Sequence, residues 1–324
     1  MNTPSLDRRG FLALGVGALA VAAAPPLLRP RERWVRRTVP SMGTLATFAI
    51  ATRFEPAAHH ALDAAVAELR RVESLMTRFR ADSDIGRVNR SRPGAAVTVS
   101  PETAEVVRDA LMWARDTEGR FDPGLARLSE LWDPHPGARP PAAFDVEALT
   151  ETPPWRALEL GGDPGAPWLR RHTTAAALDL GGIAKGYGVD RAAAALEATG
   201  VRSALVNVGG DLMALGTGPG GRPWRIGVRD PERPDEVVTV LDVEDRAVAT
   251  SGDYLRGFDH EGRRYHHLLD PATGRPHRPR FRSITIEAPT VRSADAAATA
   301  AFALGDDGPQ FLPQRAGLRI VHRG

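Results

Sequence analysis

The sequence predicts an α+β fold: mixed, mostly antiparallel sheets with helices packed on them. Three observations carry this expectation. In the second half of the chain strand-like segments follow one another in adjacent runs, where a regular βαβ repeat would alternate them with helices. The helical segments are few and amphipathic, and several carry their own start and stop residues. The composition, 42% hydrophobic and 25% charged over 324 residues, is that of a chain able to close a packed core.

In chain order, residues 42–51 (MGTLATFAIA) alternate enough to read as a strand. Residues 55–79 place Leu62, Val66, Leu69, Val72 and Met76 at helical spacings of three and four. The stretch 83–89 (SDIGRVN) reads as a short helix capped by Ser83. Ser100 followed by Pro101, with Gly119 beyond, brackets another helix. Residues 133–167 collect prolines and glycines (DPHPGARPP, ETPPW, GGDPGAPW) and read as a loop-rich insertion with one short helix near 145–149. A strand at 175–180 and a helix from about Ala184 to Thr199 follow. Then come the strand-like runs SALVNVGG, PWRIGVRDP, VVTVLDVED, AVATSG, RRYHHLLD and RSITIEAP. A last helix near 293–304, with Ser293 as its expected N-cap, and a closing strand LRIVH complete the chain.

Ahead of this globular pattern, Arg8-Arg9 precede Phe11-Leu12 and an Ala/Gly-rich apolar run ending at Ala24. Paired arginines before a weakly hydrophobic run are the pattern of a twin-arginine export signal. The run, about 13 residues, is shorter than the roughly 20 a spanning helix needs. Residues 1–24 are therefore expected to be an export signal and 25–38 a basic linker, with five arginines between Arg29 and Arg37. Residues 39–324 form the expected globular domain. The expected location is the periplasm or the outer face of the cytoplasmic membrane, any membrane association running through the N-terminus.

Composition removes several classes. No cysteine is present, which rules out disulfides, thiolate metal sites and a Cys nucleophile. The formal net charge is +2, and no basic stripe interleaved with aromatics points to nucleic acid.

Four stretches can carry chemistry. In LDLGGIAKGYGVD (178–190) a strand runs through Gly181-Gly182 into a helix, an arrangement that lets backbone N–H groups approach an anion. Lys185 there is the only lysine among 42 basic residues. A strand-to-helix turn with a surface lysine is the plain alternative, and the Gly-x4-Gly-Lys spacing of a P-loop is absent. In SADAAATAAFALG (293–305) Asp295 and Thr299 stand four apart on one helix face, hard oxygen donors suited to Mg²⁺; helix-dipole compensation by Asp295 is the alternative. His266 and His267 are adjacent, so on a strand they face opposite ways and cannot chelate one metal together, although one could act as a base. VNVGGD (206–211) places Asp211 beside a second Gly-Gly, which a turn or bulge would also explain. Ser251 lacks the Gly-x-Ser-x-Gly elbow of a serine hydrolase.

The order of these stretches is more specific than any one of them. MGT at 42–44, LMTRFRADSDIGRVN at 75–89, FDPG…LW at 121–132, LDLGGIAKGYGVD, VNVGGD, ATSGDY at 249–254, HHLLDPATG at 266–274 and ADAAATAAF at 294–302 succeed one another. This series resembles the ApbE family of FAD:protein FMN transferases over about Thr38 to Val321. The resemblance implies an ApbE-like, T-fold-like domain and a periplasmic, Mg²⁺-dependent enzyme. Such an enzyme splits the pyrophosphate of FAD, transfers FMN to a Thr or Ser hydroxyl of a partner protein acting in trans, of respiratory or electron-transfer type, and releases AMP. It further implies a metal held by the Ala184 carbonyl with Asp295 and Thr299. Asp179 and Lys185 would lie at the FAD site, Met42 and Phe79 would flank its rings, and Arg120, Phe121 and Asp122 would line that pocket. His267, directly before LLDP, would be the base. One departure stands out: Gly124 occupies a position where the family often has Thr, and Ala126-Arg127 replace the Gly-Pro that follows. An Mg²⁺-dependent FAD pyrophosphatase and a non-catalytic flavin-binding protein remain the other readings.

Overall fold

A seven-stranded sheet organises the chain. Its strands are β1 (Arg33–Ser41), β2 (Thr44–Thr52), β3 (Ala204–Val208), β4 (Asp211–Leu215), β5 (Arg246–Gly252), β6 (Ser283–Ala288) and β7 (Arg319–Arg323). They lie in the order β7-β6-β5-β4-β3-β2-β1, every neighbouring pair antiparallel. Neighbours in space are thus neighbours in sequence order, and the helices are excursions between consecutive strands. The computed structural model describes residues 19–21, 33–52, 54–135, 137–233, 235–254, 256–312 and 317–324. Most of the expected export signal lies outside them. Its Leu19–Val21 is a short strand beside Trp224–Arg229.

Side-chain alternation along the strands builds two cores. Phe48 and Ile50 of β2, Val206 and Val208 of β3 and Ala249 of β5 face one way, into a core shared with helices. Leu205, Leu212 and Val248 face the other way, against Trp224, Ile226 and Val228 of the hairpin formed by Trp224–Arg229 and Val237–Val243. Burying each large side chain contributes about 1.5–3 kcal/mol. The helices are α1 (Glu55–Met76), α2 (Asp84–Arg90), α3 (Pro101–Asp116), α4 (Ala126–Leu131), α5 (Ala143–Thr150), α6 (Ala184–Ala198) and α7 (Val291–Leu304). Of these, α6 packs against both α1 and α7, and α7 lies on β5 and β6.

Several local expectations hold. Ser83 accepts from the Gly86 N–H at 2.9 Å and starts α2. Ser100 accepts from Thr103 N–H at 3.1 Å, Pro101 opens α3, and Gly119 turns the chain at φ +86°.

Four expectations are corrected. Residues 33–38, expected in the basic linker, belong to edge strand β1, paired along its length with β2. Only Val35 and Ser41 of β1 are buried, so the apolar alternation is faint, and the arginines that hid it protect a sheet edge from further pairing. Within the expected loop-rich insertion, Leu158–Asp163 and Ala166–Arg171 form a hairpin. Gly161 and Gly162 read as loop signals because the indole of Trp168 lies where their side chains would be. Residues 175–180 are not a sheet strand. Only Ala177 makes a bridge, with Leu125, and Asp179 N–H donates to Pro123 O at 2.8 Å. Finally, α7 begins at Val291 with Thr290, not Ser293, as its cap: the Thr290 hydroxyl accepts from Ser293 N–H at 3.2 Å.

Candidate active site

The segment 178–182 is clamped from two sides. The side-chain amide of Asn89 on α2 donates to Leu178 O at 2.8 Å and accepts from Leu178 N–H at 2.7 Å. The FDPG loop supplies the Pro123 carbonyl noted above. This delivers Gly182 to a point where a Cβ would lie 2.9 Å from Thr299 Cγ2 and 3.2 Å from a Phe121 ring carbon. Glycine is required by that contact, and it brings three of the quoted stretches together. Four residues on, a Cβ at Gly186 would lie 2.5 Å from Val291 O, so α6 and α7 touch backbone to backbone. Asp190 secures the crossing by accepting from Val291 N–H at 2.7 Å and Arg292 N–H at 3.0 Å.

At this crossing Lys185 meets two carboxylates. Its ammonium contacts Asp211, the first residue of β4, and lies 3.6 Å from Asp295 Oδ1 on α7. The other Asp295 oxygen accepts from Gly186 N–H at 3.0 Å. Asp211 and Asp295 are 2% and 3% exposed. Burial alone would lower the Lys185 pKa, but the charges of Asp211 and Asp295 outweigh it and raise it. Burial pushes the Asp295 carboxyl up, and Lys185 pulls it back only in part. Thr299, one turn from Asp295, has its hydroxyl 3.4 Å from that of Ser251.

The adjacent histidines have separate environments. His266 is buried edge-on to Phe302. One ring nitrogen bonds His277 O at 2.7 Å and the other accepts from Leu268 N–H at 3.3 Å. Both nitrogens are engaged within the fold. His267 has Nδ1 3.1 Å from Arg256 O. A carbonyl can only accept, so Nδ1 carries the proton and Nε2 keeps a lone pair. The ring remains partly accessible, yet the protein packed around it lowers its pKa to about 4, with Lys185 among the nearby charges acting in the same direction.

Asp179 accepts from Gly181 N–H at 2.9 Å and pairs with Arg78 Nε at 3.1 Å. Arg78 in turn covers the Phe79 ring, 4.4 Å from its centroid, and Phe79 is 72% exposed. Met42 sits in the β1–β2 turn at φ +53°, its sulfur against Gly188 of α6. Arg120 pairs with Asp270 at 3.2 Å, and Phe121 is buried beside Trp113. Asp122 accepts from Gly124 N–H at 2.7 Å and Trp155 N–H at 3.2 Å, while burial pushes its carboxyl to about 7. A Cβ at Gly124 would lie 2.8 Å from Pro154, which accounts for glycine at this departure from the family pattern. Trp132 donates from Nε1 to Gly274 O at 2.7 Å, fastening the end of FDPG…LW to the DPATG turn.

The structure thus brings together Ala184, Lys185, Asp295, Thr299 and Phe121, and leaves His267 with a lone pair on Nε2. Sequence reasoning assigned no role to Arg78, Asn89, Asp211 or Ser251. Arg78 and Asn89 lie inside a quoted motif and Asp211 beside a noted Gly-Gly, but their partners (Asp179, Leu178 and Lys185) stand in other, distant stretches, 89 residues away for Asn89 and farther still for Arg78.

No cluster of three or more His, Asp or Glu that could hold a metal occurs among the described residues. A divalent ion would depend on a sparser set: the Asp295 carboxylate, the Thr299 hydroxyl and the carbonyl of Ala184, two residues before the Gly186 whose N–H binds Asp295. These are hard oxygen donors, and they fit Mg²⁺ completed by phosphate and water.

Comparison with known proteins gives this arrangement its relatives. The sequence profile described as the ApbE family matches residues 42–321. The FAD:protein FMN transferase of Treponema pallidum is 35% identical over 298 residues, spanning 86% of this chain and 80% of that one. The protein of the same name from Haemophilus influenzae is 31% identical over 258 residues, 78% and 75% of the two chains. Among solved structures, the ApbE protein of Thermotoga maritima superimposes with a TM-score of 0.78 at 32% identity, covering 89% of this chain and 94% of its own. The flavin transferase ApbE of Vibrio cholerae gives 0.77 at 28% identity, covering 91% and 98%. The chain belongs to the ApbE family.

Proposed function

We propose that this protein transfers FMN from FAD to a Thr or Ser hydroxyl of a partner protein, forming a phosphoester and releasing AMP, with Mg²⁺ as cofactor. One observation carries the reading. A lysine and a buried carboxylate with a hydroxyl one turn away meet at the α6–α7 crossing, and a histidine whose Nε2 keeps a lone pair lies near enough for the lysine's charge to act on it. Transfer between a pyrophosphate and a hydroxyl needs a cation on the phosphate oxygens and a base for the incoming alcohol. The names of the curated relatives point the same way.

In this reading Gly181 and Gly182 let the diphosphate approach the backbone, and Lys185 places positive charge on its oxygens. Nε2 of His267 takes the proton of the acceptor hydroxyl as its oxygen bonds to the phosphorus of the FMN half. The bond between that phosphorus and the bridging oxygen breaks, and AMP leaves with the bridging oxygen. Bound Mg²⁺ would neutralise charge on the same oxygens. At neutral pH a histidine with a pKa near 4 is unprotonated and can accept the proton; the anionic diphosphate beside it would raise that pKa and strengthen it as a base. Met42 and Phe79 would contact the rings of FAD. Arg120, Phe121 and Asp122 would shape the pocket wall, Asp122 by holding its loop. The acceptor would be a respiratory or electron-transfer subunit modified in trans. The paired arginines of the N-terminus support a location in the periplasm or on the outer face of the cytoplasmic membrane.

The test is incubation with FAD, Mg²⁺ and a candidate acceptor domain, following AMP release and flavin fluorescence that survives denaturation on the acceptor. Both together support transfer. AMP and free FMN without labelling would indicate an FAD pyrophosphatase, and bound FAD with neither product a flavin-binding protein.

A further inference from the structure

Lys185, Asp211 and Asp295 come from three different elements and meet in one place, two negative charges and one positive. Asp295 has little freedom there. One of its oxygens is bound by Gly186 N–H, and turning the carboxylate away would break that bond. Asp211 is placed independently, at the start of β4 directly after the two-residue turn Gly209-Gly210, whose φ values of +62° and +108° reverse the chain. It is the closer of the two carboxylates to the ammonium.

We propose that Asp211 is a positioning residue that holds the Lys185 ammonium away from Asp295, leaving the Asp295 carboxylate free to bind a divalent cation while Lys185 serves the diphosphate. The inference rests on the reading of Asp295 as a metal ligand. Without Asp211 the ammonium has one carboxylate left within reach, and pairing with it would make Lys185 a competitor of the metal. The same geometry bears on the single lysine of this arginine-rich chain. A guanidinium forks two parallel donors onto a carboxylate, or bridges two of them, and would occupy Asp295 directly. A compact ammonium can contact Asp211 and still stand 3.6 Å off Asp295.

The test is Mg²⁺ binding to the full chain without FAD, by calorimetry, for wild type, Asp211→Asn, Lys185→Met and the double variant. Asp211→Asn is expected to weaken Mg²⁺ at least tenfold with Lys185 present, but threefold or less in the Lys185→Met background. Loss of a negative charge acting only through space would cost the same factor in both backgrounds, and that additivity would overturn the proposal. A second readout uses the lone lysine: protein labelled with ¹⁵N at the lysine Nζ gives one assignable signal. That signal should move little as MgCl₂ is added to wild type and strongly in Asp211→Asn, where the metal must displace the ammonium from Asp295. Equal movement in both also overturns the proposal, and needs only the folded fraction of a weakened variant. If wild type itself binds no Mg²⁺, the metal reading fails and this inference fails with it. Binding by wild type with equal losses in both backgrounds removes only the role of Asp211.

Discussion

On one side of the site Lys185 and Asp295 stand on α6 and α7, helices so close that a single added carbon at Gly186 would strike the Val291 carbonyl. On the other side His267 follows the four-residue strand Arg263–His266 and leads into a tight turn. The first side is positioned by backbone packing among glycines and alanines. The second is positioned by side chains: His266 bonded through both nitrogens, Asp270 accepting from Ala272 N–H, and Trp132 holding Gly274 O. The charges that would grip a diphosphate stand on two helices that touch backbone to backbone. The group that, in the proposed reaction, would meet the acceptor protein sits on a segment held by single hydrogen bonds.

Removing one group from each side tests that division. Asp295→Ala is expected to lower FMN transfer on the order of 10⁴-fold, about 5 kcal/mol at the transition state, because the metal and its charge stabilisation go together. Single-turnover labelling of an acceptor measures it, and retention of a tenth of wild-type activity would move the centre of the chemistry off the helix crossing. His267→Ala is expected to cost on the order of 10³-fold, within the usual range for a general base, while FAD affinity stays within about twofold. Its lowered pKa gives a signed expectation. The active form is the neutral ring, so the wild-type rate should rise as pH increases through about 4, or somewhat higher with FAD bound, and then level off. A rate that instead falls as pH rises through that range would mean a protonated His267 does the work.

Trp132→Phe probes the tuning directly. It removes the donor to Gly274 O and keeps the ring stacked on Tyr265. Leaving that carbonyl unpaired should cost about 1–3 kcal/mol of stability, seen as a lower melting temperature. The slackened turn should lower kcat roughly tenfold, since a displacement near 1 Å can cost up to about 100-fold, with FAD affinity unchanged. An equal loss of FAD affinity would show that the turn and the helix crossing are one mechanical unit.

The same division explains what was legible in the sequence. Periodicity and caps located α1, α2, α3 and α6, because those signals are local. The order of the motifs pointed to the site, because the residues at the helix crossing sit in recognisable glycine and alanine contexts. What stayed hidden was relational. Asp211 looks like any residue after a turn until β4 places it on Lys185. Asn89 reads as the tail of a short helix until it clamps Leu178. Edge strand β1 was masked by its arginines, and Gly161-Gly162 passed for a loop because Trp168, which covers them, stands on the returning strand.

Phe79 offers the smallest effect on kcat and on the fold. Its ring is 72% exposed and rests under the Arg78 guanidinium, whose Nε is spent on Asp179. An exposed ring contributes little to the fold, so Phe79→Ala should change stability by no more than about 0.5 kcal/mol. Stacking on a base or flavin ring is worth about 1–3 kcal/mol, so FAD binding should weaken roughly five- to a hundredfold. Because Arg78 and Asp179 keep their pairing, the loss should appear in KM for FAD and leave kcat nearly intact. Fluorescence titration of FAD against wild type and variant would show it. A change in kcat with unaltered KM would mean that Phe79 contacts the acceptor protein, and would move this aromatic from the helix-crossing side of the site to the side that carries His267.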